Sequence, residues 1–115
     1  MVIYNQFEIV VVPFPFTDSG QTKRRPALII SDSNEFDRSI RRSVMAMITT
    51  STHSPWPLDV PIVDLSFTGL NVASIVRMKL FTLDHALIIR KIGILSPNDQ
   101  PIIHNALKKL LKCNS

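Results

Sequence analysis

The sequence predicts a mainly β fold, a compact barrel or curled sheet of about five to seven short strands followed by one C-terminal α-helix. Three observations lead there. The apolar runs are short and rich in Val, Ile and Phe, and turn signals separate them at close intervals. Helical spacing occurs in one place, where Ile102, Ile103, Ala106, Leu107, Leu110 and Leu111 would lay a single apolar stripe against the sheet. No repeat, low-complexity tract or linker divides the chain, so residues 1–115 are expected to form one domain around one modest core.

The elements follow in order. Glu8 to Phe16 reads as a first strand; Pro13 and Pro15 cannot donate to a ladder, so it should become an edge or bend outward at Pro13. A polar loop, Thr17 to Thr22, leads into Lys23-Arg24-Arg25, and Pro26 fixes the backbone just after. Ala27 to Ser31 is a short buried strand, and Asp32 to Ser39 a polar turn with one helical turn. Val44 to Thr50 is a third strand ending in hydroxyls. Thr52 to Pro57 is a stiff loop between two restricting prolines, Pro55 and Pro57. Val60 to Leu65 is a fourth strand, residues 66–69 a turn, and Ala73 to Val76 a fifth strand. Leu80 to Thr82 is extended, Asp84 to Leu87 a helical turn, and Ile89 to Leu95 a further strand. Ser96-Pro97-Asn98-Asp99 supplies helix-start chemistry, and Pro101 should slide the cap toward Asn98. Lys108, Lys109 and Lys112 suit the helix C-terminus, where the dipole favours cations.

Composition narrows the function. The chain carries a net charge of +4 and a pI near 9.6, which favours a polyanionic partner. Two cation clusters, Lys23-Arg24-Arg25 and Arg38 with Arg41-Arg42, lie in the first half. No apolar run approaches the roughly 18–20 residues of a membrane span, and the N-terminus lacks a secretory leader. A single cysteine, Cys113, fits a reducing, cytoplasmic setting. His53, His85, His104 and Cys113 show no metal-ligand spacing, so neither a metal nor another cofactor is expected. Gly20, Gly69 and Gly93 lie too far apart for a phosphate-cradling loop, and no G-x-S-x-G elbow occurs.

What remains is a guanidinium where a loop re-enters a sheet, a natural phosphate holder. Beside it stand a run of hydroxyls, Thr49, Thr50, Ser51 and Thr52, and the segment Ser74-Ile75-Val76-Arg77-Met78-Lys79. Hydroxyls at a strand end more often satisfy loose backbone groups, and Arg77 could simply snorkel at an edge. Phe14, Phe16 and Trp56 are loop-adjacent rings on which bases could stack, although such rings more often belong to a core.

Several blocks together resemble the PemK/MazF family of toxin endoribonucleases. They are Glu8 to Asp18 (EIVVVPFPFTD), Lys23 to Leu28 (KRRPAL), Met47-Ile48-Thr49-Thr50, Ser74 to Arg77, Lys79 to Asp84 and Gly93 to Ser96. The resemblance covers nearly the whole chain in order and spacing. It implies an SH3-like barrel of the CcdB/PemK type with a terminal helix, working as a homodimer. It also implies metal-independent cleavage of single-stranded RNA, leaving 2′,3′-cyclic phosphate and 5′-hydroxyl ends, and neutralisation by a cognate antitoxin. Carried over by position, Arg25 and Thr49 are the catalytic candidates. Lys23, Arg24, Thr50, Ser51, Arg77 and Lys79 are the RNA-binding candidates. The chain departs from the family with Phe7-Glu8 ahead of the first strand, and with Met78-Lys79 where many relatives carry an acid. No general base stands in these motifs; Glu8, Asp18, His53 and Asp84 are the groups that folding would have to bring in. The alternative is a catalytically degenerate or non-enzymatic toxin-fold protein that binds an antitoxin or a protein target such as DNA gyrase.

Overall fold

Runs of apolar residues form six strands, and the computed structural model, which describes residues 3–14, 23–50 and 55–112, pairs them into one antiparallel sheet. Its strands are β1 (Glu8–Phe14), β2 (Lys23–Ile29), β3 (Arg42–Thr50), β4 (Val60–Pro61), β5 (Ser74–Asp84) and β6 (Arg90–Ile94). They lie in the order β4-β5-β3-β2-β1-β6, and the sheet curls into a half-barrel. A π-helical turn (Ser33–Asp37) runs into the short helix α1 (Arg38–Ile40), a 3-10 turn spans His85–Leu87, and α2 (Gln100–Leu111) follows β6.

The curl gives the sheet two apolar faces. On one, Ile9, Leu28, Ile48 and Val76 meet Ile103 and Ala106 of α2, with Val60 and Leu95 filling the gap. On the other, Val10, Val12, Ala27, Ile29 and Met45 pack with Ile88 and Phe14. The ring of Phe14 stands edge-on to Phe81 there, at 5.0 Å.

Several expectations are corrected. Lys23-Arg24-Arg25 are the first half of β2 and not a loop end. Pro13 does not bend β1 out, since pairing with β2 runs on to Phe14↔Lys23, but β1 is an edge at Pro13 as expected, because β6 pairs with it only as far as Val11↔Arg90. The donor that Pro13 lacks would point to the side that β6 has already left, since Val11 accepts there from the Ile89 N–H. Ala73 to Val76 and Leu80 to Thr82 are not separate pieces; β5 is continuous, with a register shift between Ala46 and Met47 that leaves Met78 and Lys79 unpaired as a bulge. Strand β4 is shorter than Val60 to Leu65. The cap of α2 is Asp99, not Asn98, because Pro101 lies in the first turn, where no intrahelical donor is needed. The Asp99 carboxylate accepts from the Val63 and Asp64 N–H groups at 3.3 and 3.0 Å instead, tying the helix to the β4–β5 connection. Half of the predicted apolar stripe is covered; Ile102, Leu110 and Leu111 are exposed.

The β4–β5 connection passes so close to β6 that only glycine fits. A Cβ on Gly93 would overlap the Phe67 carbonyl oxygen and the Thr68 backbone, neither of which can swing aside. Gly69, at φ 76, faces Ile92 in the same way. A Gly93→Ala protein should therefore lose about 2 to 3 kcal/mol, read as a lower midpoint in urea unfolding.

Candidate functional site

Register decides what lies near Arg25. The ladder Ala27↔Met47, Leu28↔Ala46, Ile29↔Met45 continues at its other end with Ile30 donating to the Val44 carbonyl at 3.0 Å. Even-numbered residues of β2 therefore bond to β3, and the next donor would be Pro26, which has none. The ladder stops at Ala27 for that reason. Carried two residues further, the same register sets Arg25 opposite Thr49, both half-buried, at an end where the two strands are free of mutual hydrogen bonds. Side chains alternate along a strand, so Arg25 and Thr49 share the face of Ala27 and Met47.

The other candidates divide between faces. Lys23, opposite Phe14, returns to the Arg25 face, while Arg24 points to the other; both are exposed. Thr50 lies opposite Ser74, on the far side of β3 from Thr49. Ser51 lies outside the described residues, as do Phe16, Asp18 and His53.

Arg77 stands opposite Met47, on the Arg25–Thr49 face. It is not a free edge cation. Its guanidinium donates to both carboxylate oxygens of Asp59, at 3.2 and 3.0 Å, and the two side chains are only 11% and 14% exposed. Asp59 also closes its own turn: it accepts from the Trp56 N–H at 2.9 Å and donates its N–H to the Trp56 carbonyl at 3.2 Å. The indole is held over the strand, with the Arg77 Cζ 5.7 Å and the Lys79 Nζ 5.0 Å from the ring centroid. Lys79 is two residues on from Arg77, so strand alternation brings it to the same face and the same ring. Trp56 is 41% exposed, so this ring is a surface platform and not core. Sequence reasoning missed Asp59; its signal was an aspartate three residues after a tryptophan across a proline, the spacing of a self-closing turn.

Two candidate bases lie elsewhere. Glu8 accepts from the Asn5 N–H at 2.6 Å and from Lys91 Nζ at 3.1 Å, four residues along β1 from Val12, the partner of Arg25. Asp84 pairs with Arg42 at the opposite end of β3 from Thr49. Among the described residues, no three or more His, Cys, Asp and Glu side chains gather as metal ligands. No helix there is long and apolar enough to cross a membrane.

Comparisons agree with this architecture. A family model described as PemK-like, MazF-like toxin of type II toxin–antitoxin systems matches residues 5–111. Among solved structures, the chain is similar to the Mycobacterium tuberculosis toxin MazF-mt6, with 26% identity and a TM-score of 0.72 over 94% of this chain and 99% of that one. An Mtb toxin is 31% identical over 74% of this chain and 90% of its own, with a TM-score of 0.60. An endoribonuclease in complex with its cognate antitoxin, from a mycobacterial species, has the same fold at 19% identity, with a TM-score of 0.77 and 97% and 98% coverage. No curated protein matches the chain.

Proposed function

Because the chain belongs to the PemK-like, MazF-like toxins of type II toxin–antitoxin systems, we propose that it is an endoribonuclease acting on single-stranded RNA. The observation that carries this reading is the β2–β3 register, whose pairs end at Ala27↔Met47 and which, continued by two residues, sets Arg25 opposite Thr49 where Pro26 leaves the ladder open. The ribose 2′-oxygen attacks the adjacent phosphorus, the bond to the 5′-oxygen breaks, and a 2′,3′-cyclic phosphate and a 5′-hydroxyl result. Extra negative charge builds on the phosphoryl oxygens, where a permanently charged, planar guanidinium is the fitting partner. Thr49 donates its hydroxyl to a non-bridging or leaving oxygen. The proton of the 2′-hydroxyl goes to a group outside the pair, since arginine holds its own protons too tightly to act as a base.

Trp56 extends the site into a strand-binding surface. An unpaired base stacks on the indole while Lys79 and Lys23 meet the phosphates; Arg77 shapes the platform through Asp59. The partners in this reading are RNA, a cognate antitoxin that covers the same face, and a second copy of the chain. The exposed Ile102, Leu110 and Leu111 of α2 support the last of these.

The deciding experiment incubates the protein with a long RNA in EDTA and maps the new ends. Discrete cuts bearing cyclic phosphates are expected. An intact RNA alongside a folded, antitoxin-binding protein would move the assignment to a non-catalytic binder. The platform has its own readout, because Trp56 is the chain's only tryptophan. Titrating an uncleavable, 2′-deoxy-substituted oligonucleotide should quench its emission, and Trp56→Ala should weaken binding by about 1 to 3 kcal/mol. Unchanged emission at saturation would remove Trp56 from the RNA path.

A further inference from the structure

At the other end of β3 a second cationic site has no part in the proposed cleavage. From Thr49 to Arg42 the strand runs roughly 23 Å, at about 3.3 Å per residue. There the turn that joins α1 to β3 and the end of β5 enclose a cavity of about 620 Å³. Arg38, Arg41 and Arg42 line it. Arg42 lies 3.6 Å from Asp84 in an exposed pair. The guanidinium groups of Arg38 and Arg41 have no hydrogen-bond or ion-pair partner among the described residues.

Two features mark the cavity as built. Arg41 ends α1 in the left-handed region, at φ 54, where glycine is usual and any other residue gives up about 1 kcal/mol. That conformation turns the chain so that Arg41 and its neighbours face one mouth. The second feature is the imidazole of His85. Its Nε2 lies 2.7 Å from the Ser43 hydroxyl, which donates at 2.9 Å to the Asp37 carboxylate. Asp37 is 1% exposed and also accepts from the Ser31 hydroxyl. A serine has one proton, and here it goes to the carboxylate, so Nε2 must carry hydrogen and donate. The ring is thereby fixed, and its Nδ1 has no partner among the described residues. Tyr4 stands edge-on to His85 at 5.0 Å and, with Ile3 and Ile40, makes one wall apolar.

We propose that this cavity binds the phosphate of a nucleotide, between Arg38 and Arg41, with the base against Tyr4. Guanidinium forks match phosphate oxygens in geometry as well as charge. Of the two carboxylates that line the cavity, Asp84 is countered by Arg42, and Asp37 keeps its charge but is 1% exposed and held by the Ser31 and Ser43 hydroxyls, so three arginines face two carboxylates. A volume of this size lies within the range of small-molecule sites. The nucleotide is either free or one unit of an RNA strand extending from Thr49; the chemistry is the same, and experiment separates the two.

The test is binding in the Arg25→Ala background, which removes cleavage as a readout and keeps this site distinct from the proposed activity. Calorimetry with guanosine and adenosine monophosphates should show one site per chain. Arg38→Ala and Arg41→Gly should each weaken it by about tenfold or more, the loss of one charge-assisted hydrogen bond. Arg41→Gly relieves the left-handed backbone, so its melting temperature should hold or rise while binding falls. If mononucleotides do not bind but an RNA of about a dozen nucleotides loses affinity in Arg41→Gly, with its salt slope reduced by about one, the ligand is the strand. Both probes binding the two variants as tightly as the parent would overturn the site. So would an acidic peptide that binds there when neither nucleotide nor RNA does.

Discussion

An Arg25→Ala protein should fold like the parent and leave RNA uncut. The expected loss is about 10²- to 10³-fold in cleavage rate, the usual cost of removing one donor aimed at charge that develops in the transition state. Arg25 is half-buried near a strand end and lies outside both apolar clusters, so its removal should spare the circular dichroism spectrum. Arg25→Lys should recover only part of the rate, because an ammonium supplies the charge without the planar fork. Cleavage by Arg25→Ala at the parental rate, on a gel time course, would take this residue out of the chemistry. Thr49→Val, which keeps shape and deletes the hydroxyl, should cost less than Arg25→Ala.

Asp59→Ala carries the largest expected stability effect among substitutions at the site. It removes the acceptor of two Arg77 hydrogen bonds, and the countercharge, from a guanidinium whose side chain is 11% exposed. Breaking such a pair from one side costs about 3 to 5 kcal/mol, because the remaining charge stays buried. For a chain of this length the melting temperature should fall by roughly 10 °C or more. The turn from Trp56 to Asp59 loses its side-chain closure at the same time, so the lone tryptophan's emission should shift toward that of a solvated indole. A drop of less than about 2 °C would mean that Arg77 finds equal partners elsewhere.

These two residues show how unevenly the site could be read. Arg25 stands out as a candidate because its signals are local: a cation run, a proline directly after it, and strand-forming residues on either side. Thr49 was legible as a strand-end hydroxyl, and it was joined to Arg25 only through the family resemblance, since nothing within either segment says which strands pair or in what register. Asp59 was not found at all. A single aspartate in a short connection carries no periodicity, and its value comes from meeting Arg77 across the sheet. Reading Ala73 to Val76 and Leu80 to Thr82 as separate pieces failed for a related reason. The two-residue bulge keeps the alternation of side chains but interrupts the pairing, and the ladder resumes at Leu80↔Ala46.

The chain's own residues determined a mainly β domain with one terminal helix, because short alternating runs and a single helical stripe are properties of neighbouring positions. They also determined that the first cation cluster sits beside a backbone fixed by proline. Tertiary structure alone decided that Pro26 ends the β2–β3 ladder at the point where Arg25 comes opposite Thr49. It alone decided that Arg77 is clamped under Trp56 and that Arg38 and Arg41 open onto a separate cavity. The physical reason is that each of these depends on strand pairing. Pairing is selected by the sum of burial on two sheet faces, and no single segment of the sequence contains it.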